Sequence, residues 1–389
     1  MDIETKNIKN KINVIYIIGK FGIGGIETLI YKIARNLDRN FFYPTIIALN
    51  DYEDKIVEEQ IISSLTKDDI ETLKLSGSTK NSRFRKILFI KKNLKGRKNV
   101  VIHTNSDIIN AILATWRKNI PMINTYHSTQ GFTKKDRIVY RFFMKKRFKK
   151  IVAVSNAVKQ TIEKTIGVEG SKIEVIYNGI EIEKFKENFT MGKSTNNDLK
   201  IVNLLFVGRL ANQKNPQILL EAFKDLNCEN LKLSIVGDGP LMKELKDFVV
   251  ENNLKEQVVF FGAINNDEVP QVLWNADVYV MPSLFEGLSI SLIEAMAAGK
   301  PLILSNIPSF QETLGVHDLK FVNNFAVTKF GTIFESGNSR GLANAINWMI
   351  ENRDKWPEFS KNSYERAKDF SISKTVQEYE RIYKEILDL

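Results

Sequence analysis

A single cysteine, three histidines, no long apolar run and no Asp-x-Asp triplet bound what this chain of 389 residues can be. Cys228 by itself excludes an intramolecular disulfide and a multi-cysteine zinc site. His103, His127 and His317 are too few for a histidine-rich metal centre. The longest apolar stretches, such as Ile12–Ile18, fall far short of the roughly 20 residues a membrane-spanning helix needs. Asp2, Glu4 and Lys20 fit poorly with a secretory leader. These absences lead to the expectation of a cytoplasmic, two-domain protein with no metal or other cofactor.

Acidic residues are scarce in one half only. Up to Phe185 there are 34 Lys and Arg against 19 Asp and Glu, whereas the remainder has 22 against 27. Two stretches hold most of the excess. RFRKILFIKKNLKGRK (Arg83–Lys98) has eight basic residues and no acid, and KKDRIVYRFFMKKRFKK (Lys134–Lys150) has nine and one acid. Each interleaves charge with apolar residues at helical spacing. The plain reading is a solvated helix face. The functional one is a surface for anionic lipid, with Phe142, Phe143 and Phe148 adding shallow insertion and Lys145, Lys146 and Arg147 among the contacts.

The first half alternates apolar runs with amphipathic stretches. INVIYII (Ile12–Ile18), TIIAL (Thr45–Leu49), NVVIHT (Asn99–Thr104), MINTYH (Met122–His127), KIVAVS (Lys150–Ser155) and KIEVIY (Lys172–Tyr177) read as buried strands. Helices are expected near 26–38, 84–95, 106–117, 135–148 and 156–166. Residues 186–200 are polar and aperiodic, which suggests a linker. The alternation then restarts at IVNLLFVG (Ile201–Gly208), LKLSIVG (Leu231–Gly237), VVFFG (Val258–Gly262), DVYVMPS (Asp277–Ser283) and PLILS (Pro301–Ser305). Helices fit near 215–226, 240–252, 267–275 and 289–298. Parallel sheets covered on both faces follow, in domains 1–185 and 201–372, with a last helix over 373–389 packing back on the first domain.

Three places carry candidate chemistry. Gly24 and Gly25 precede an amphipathic helix, whose N-terminal amides suit an anion; Glu27 stands where a dinucleotide fingerprint needs a third glycine. Arg209 and Lys214 follow a buried strand and suit a diphosphate. Glu286 lies in the loop after DVYVM, and Glu294 in the helix beyond it, about two turns on, so both carboxylates share a face if the helical phase extends back. Amides near Leu288–Ile290 form another helix N-terminus.

Glu286 and Glu294, VGRL…QKN, VGDGP (Val236–Pro240), NGI (Asn178–Ile180) and VSNAV (Val154–Val158) together resemble the retaining glycosyltransferases of family four. The matches run in family order over most of the chain. The resemblance implies the GT-B fold, an α/β architecture of two Rossmann-like domains facing each other across a cleft. It implies that Arg209 and Lys214 bind the donor diphosphate, that Glu294 holds the ribose, and that Glu286 contacts the transferred sugar. His127 would lie near the reactive face of that sugar. Gly24, Gly25, Gly208, Ile264, Gly287, Leu288, Ser289 and Ile290 would complete the donor contacts. The family's EGFG is EGLS here, with Leu288 and Ser289, which leaves the donor sugar open.

The activity so implied is metal-independent transfer of a hexose or N-acetylhexosamine, with retention, through internal return with the leaving phosphate as base. UDP-sugar is the first choice of donor and GDP-mannose the next. The acceptor would be a glycan or lipid-linked saccharide, as in bacterial surface polysaccharide synthesis, with peripheral contact to the inner face of an anionic membrane. A non-hydrolysing sugar-nucleotide epimerase would share the fold but needs acid/base residues that no cluster supplies. A nucleic-acid module would need an RNA-binding aromatic motif or a Cys/His finger, and neither is present.

Overall fold

A computed structural model describes residues 11–77, 82–105, 107–130, 137, 147–186, 201–226, 228 and 230–388. The chain forms two compact units, Met1–Gly179 with Ile372–Leu389, and Ile180–Ser371. The expected linker and most of the helix expected over 135–148 lie outside the described residues.

The first unit is a sheet in the order β3-β2-β1-β4-β5-β6-β7, parallel throughout. Its strands are β1 (Ile12–Ile18), β2 (Phe42–Ala48), β3 (Glu71–Lys74), β4 (Val100–Thr104), β5 (Met122–Tyr126), β6 (Lys150–Ala153) and β7 (Ile173–Val175). β1 is central and buried along its whole length, which is why it reads as an unbroken apolar run. Helix α1 (Gly25–Asn36) turns Leu29, Ile30 and Ile33 inward. Helix α2 (Lys55–Lys67) starts where the Asp54 carboxylate accepts from the amides of Ile56 and Val57. α3 (Arg83–Asn93) and α4 (Ile108–Thr115) pack on each other. α5 (Asn156–Ile166) is capped by Ser155, whose hydroxyl accepts from the Val158 amide.

The last helix, Ile372–Glu385, returns to this unit and packs on α1. Its buried residues Ile372, Val376, Tyr379 and Tyr383 form one stripe at helical spacing. Tyr379 and Tyr383 enter a buried polar network. The Tyr383 hydroxyl lies 3.1 Å from that of Tyr16 and 2.7 Å from His103 Nδ1. His103 Nε2 lies 2.8 Å from the Thr125 hydroxyl, which also meets Tyr379 at 3.0 Å. Burial pushes the His103 imidazole down to about 3, so it is neutral.

The second unit repeats the architecture, in the order β10-β9-β8-β11-β12-β14-β13. Its strands are β8 (Val202–Val207), β9 (Leu231–Val236), β10 (Val258–Gly262), β11 (Val278–Met281), β12 (Leu302–Ser305), β13 (Phe325–Thr328) and β14 (Gly331–Phe334). All pairings are parallel except the β13–β14 hairpin. The segment Ile180–Phe185, which composition assigns to the first domain, packs with this unit. The Ile180 amide donates to Phe370 O at 2.9 Å, and Trp274 Nε1 donates to Phe185 O at 3.0 Å.

Candidate functional site

In the second unit the chain winds outward from β8 in two directions, to β9 and β10 on one side and to β11 and β12 on the other. Open α/β sheets bind ligands outside the strand carboxyl ends at such a reversal. Arg209 and Lys214 leave the carboxyl end of β8, and Glu286 leaves that of β11. Two neighbouring turns brace the floor. The Leu210 amide donates to Asp238 O at 3.0 Å, and the Leu241 amide donates to Leu210 O at 3.0 Å. Gly237 has φ +132°, and a Cβ there would run into the Gly208 carbonyl, so the VGDGP turn needs glycine to lie this close.

The structure brings Lys214 and Glu286 together as an ion pair. Nζ is 2.7 Å from Oε1, with the side chains 16% and 6% exposed. Oε1 also accepts from the Ser283 hydroxyl at 2.8 Å, and Oε2 accepts from Gln213 Nε2 at 3.3 Å. Gln213 further ties the two loops by donating to Phe285 O at 3.1 Å, while Leu284 N donates to Gln213 O at 2.9 Å. A carboxylate so buried is tolerable because each oxygen has a donor. Arg209 is exposed at the same strand end.

Helix α9 runs Ile290–Ala297, after α6 (Pro216–Leu226), α7 (Met242–Glu251) and α8 (Val269–Trp274). It begins after Ser289, which is extended and caps the helix by accepting from the Leu292 amide at 3.4 Å. Glu286 therefore precedes the helix, and the phase that would align it with Glu294 does not extend to it. Both carboxylates nonetheless act on one group, the Tyr279 phenol on β11, which burial drives far above its ordinary value and whose proton Glu294 and Glu286 help retain. Glu294 is half-buried. Gly287, Leu288 and Ile290 belong to the entry to α9, and Ile264 follows β10.

Gly24, Gly25 and His127 belong to the first unit. α1 starts at Gly25, and no side chain caps it, although the Glu27 carboxylate lies against Gly24 over the same helix end. An anion arriving there would have to displace that carboxylate. Ile26 and His127 line one depression of about 270 Å³ at the carboxyl ends of β4 and β5. His127 Nε2 lies 2.8 Å from Asn105 Oδ1, and burial pushes its imidazole down to about 4, so it is neutral at pH 7.

Sequence reasoning missed Ser283, Gln213, Tyr279 and Asn105. Only the first two had a visible signal, since Ser283 stands three residues before Glu286 and Gln213 directly before Lys214.

Two family models match the chain in succession, the one described as Glycosyltransferase Family 4 over residues 23–184 and the one described as Glycosyl transferases group 1 over residues 189–366. An uncharacterized glycosyltransferase of Methanocaldococcus jannaschii, MJ1178, is 27% identical over 94% of this chain and 96% of its own length. The UDP-Gal:alpha-D-GlcNAc-diphosphoundecaprenol alpha-1,3-galactosyltransferase of Escherichia coli is 33% identical over 57% of this chain and 62% of its own. Among solved structures, a glycosyltransferase from Rickettsia africae has a TM-score of 0.77 at 23% identity, covering 97% of this chain and 99% of that one. Anabaena HepE, solved with UDP and glucose, has a TM-score of 0.77 at 19% identity, covering 96% of this chain and 100% of that one. The sheet pair is thus the GT-B architecture, and the chain belongs to the family 4, group 1 glycosyltransferases.

Proposed function

We propose that the chain transfers a hexose or N-acetylhexosamine from a nucleotide sugar to a lipid-linked saccharide, with retention and without a metal. The observation that carries this reading is the Lys214–Glu286 ion pair at the reversal of the second sheet, with Arg209 exposed at the same strand end. Negative charge grows on a diphosphate as it leaves, and two fixed cations offset that charge in place of a metal ion. Glu286 does two things: it holds Lys214 in one position and offers Oε2 to a sugar hydroxyl. Glu294 accepts from ribose hydroxyls, and the amides entering α9 face the phosphates. No carboxylate is assigned as a nucleophile, so the departing phosphate takes the acceptor proton on the same face.

The donor and acceptor classes draw support from the relatives. The galactosyltransferase named above uses UDP-Gal and a diphosphoundecaprenol-linked sugar. An O-antigen chain mannosyltransferase of Salmonella typhimurium, 31% identical over 52% of this chain and 58% of its own length, keeps mannose as the second choice. Isothermal titration with UDP, GDP and ADP should show UDP binding most tightly, and proton NMR of the first product formed in chelator should show the donor's α configuration. An inverted product, activity lost in chelator, or an epimerised donor in the absence of acceptor would each contradict the reading.

A lipid-linked acceptor calls for contact with a membrane, and no helix among the described residues is long and apolar enough to cross one. Part of the expected docking surface falls away. Phe148 is 3% exposed, and Arg147 donates to Thr115 Oγ1 at 3.0 Å, so neither faces lipid. Phe142, Phe143, Lys145 and Lys146 lie outside the described residues. The α3 surface remains. Lys86 and Arg97 are taken up by Asp107 and Glu71, while Arg83, Arg85, Lys91, Lys92, Lys95 and Lys98 are exposed. Phe84 is 68% exposed and Leu88 48%, on the same helix. Each near-surface cation contributes about 1 kcal/mol toward anionic lipid. Co-sedimentation with phosphatidylglycerol vesicles should therefore weaken with salt and drop at least ~10-fold when Arg85, Lys91 and Lys92 become Glu. Equal recovery with neutral vesicles would leave only a solvated face.

A further inference from the structure

The depression at the carboxyl ends of β4 and β5 holds a donor–acceptor pair that the proposed reaction has not used. His127 Nε2 lies 2.8 Å from Asn105 Oδ1. A carbonyl oxygen only accepts, so the contact places the ring proton on Nε2 and leaves a lone pair on Nδ1. Among the described residues Nδ1 has no hydrogen-bond partner. Asn105 Nδ2 is a buried donor that also lacks one. Buried donors without partners are rare in folded proteins, and a ligand oxygen is one group that satisfies them.

The rest of the lining selects the ligand class. Asn124, Thr125, Ser128 and Gln130 bring amides and hydroxyls to the same depression. No Lys or Arg is among the described residues lining it. The carboxylate there, Asp107, is engaged by Lys86 at 3.8 Å and by Asn110 Nδ2 at 2.8 Å. His103, on the adjoining strand, is buried and bonded to hydroxyls at both ring nitrogens. A described lining without a cation, in which His127 Nδ1 and Asn105 Nδ2 are unpaired, is poorly suited to phosphate. It suits hydroxyl groups, each of which can both donate and accept.

We propose that Asn105 is a positioning residue that holds His127 in the Nε2–H tautomer, so that His127 Nδ1 accepts from, and Asn105 Nδ2 donates to, hydroxyls of a bound saccharide. The ligand class rests on the transferase reading; the tautomer does not. With three histidines in the chain, long-range ¹H–¹⁵N spectra of histidine-labelled protein resolve each ring, and a His127→Gln spectrum assigns the peak. At pH 7.5 without substrates, His127 should show an unprotonated Nδ1 and a protonated Nε2. Asn105→Asp, which keeps an acceptor, should preserve that pattern, whereas Asn105→Leu should give a tautomer mixture. In the transferase assay Asn105→Leu should lose about 10-fold in kcat/KM, with Asn105→Asp between it and the parent. A proton on Nδ1 in the parent, or an unaltered tautomer in the leucine variant, would overturn the positioning role. Unchanged kcat/KM in the leucine variant would overturn the hydroxyl contacts. A protein with no transferase activity but the expected tautomers would instead count against the proposed function.

Discussion

Lys214→Ala is expected to lower kcat/KM by roughly 10²-fold or more, the scale on which a single fixed charge stabiliser acts in a transition state. It is also expected to cost about 3 kcal/mol of stability, because it takes the Lys214 cation away from a buried carboxylate. The Glu286 side chain is 6% exposed and keeps its hydrogen bonds from Ser283 and Gln213 once Lys214 is gone. The double variant Lys214→Ala, Glu286→Ala separates the two effects. With no orphan charge left, it should regain most of the lost stability but none of the activity. Arg209→Ala should show a similar loss of activity with stability unchanged, since its side chain is exposed. Activity equal to the parent in either single variant would remove these residues from the diphosphate site. Activity returning in step with stability in the double variant would make the ion pair a structural device alone.

The way that pair arises shows what the sequence could and could not disclose. Buried parallel strands such as β1 and β11 announce themselves because both faces must be apolar. β3, Glu71–Lys74, was missed because an edge strand pairs on one side only and is half-buried along its length. Helix α2 was missed for a related reason, since only Glu58 and Leu65 are buried in it and its apolar stripe is thin. The β13–β14 hairpin and the helix Pro308–Leu314 also went unread, as short elements with weak periodicity.

At the site, family motifs pointed to Arg209, Lys214 and Glu286 one by one. Their joining is a fact of strand order, because β8 and β11 are neighbours in space though β9 and β10 intervene in sequence. Helical spacing was the wrong route to relating Glu286 and Glu294, since the extended Ser289 breaks the phase between them. The partners Ser283 and Gln213 were within sight, but nothing local marked which way their side chains turn.

His103 shows the same limit from the other side. In sequence it is one of three scattered histidines, and its partner Tyr383 lies 280 residues away. The available signal was the Tyr379–Tyr383 pair, four apart on an amphipathic last helix. Tyr383→Phe is expected to destabilise the first unit by about 2–4 kcal/mol, because it leaves both the Tyr16 hydroxyl and His103 Nδ1 buried without a partner. A pH dependence accompanies it. His103 is neutral in the folded protein down to about pH 3, whereas an unfolded histidine takes up a proton near 6.5. Below that value the unfolded chain binds the extra proton, so the stability His103 allows is intact above about pH 6.5 and falls as pH drops below it. The slope from this one residue is about 1.4 kcal/mol per pH unit. In urea titrations between pH 7.5 and 5.0, Tyr383→Phe should shift the whole curve down and keep its slope, since the ring remains buried. His103→Gln should flatten the slope by that one-proton share. If His103→Gln leaves the acid slope unchanged, the imidazole titrates in the folded state, and the Tyr16–His103–Tyr383 network is not the neutral latch that holds the last helix.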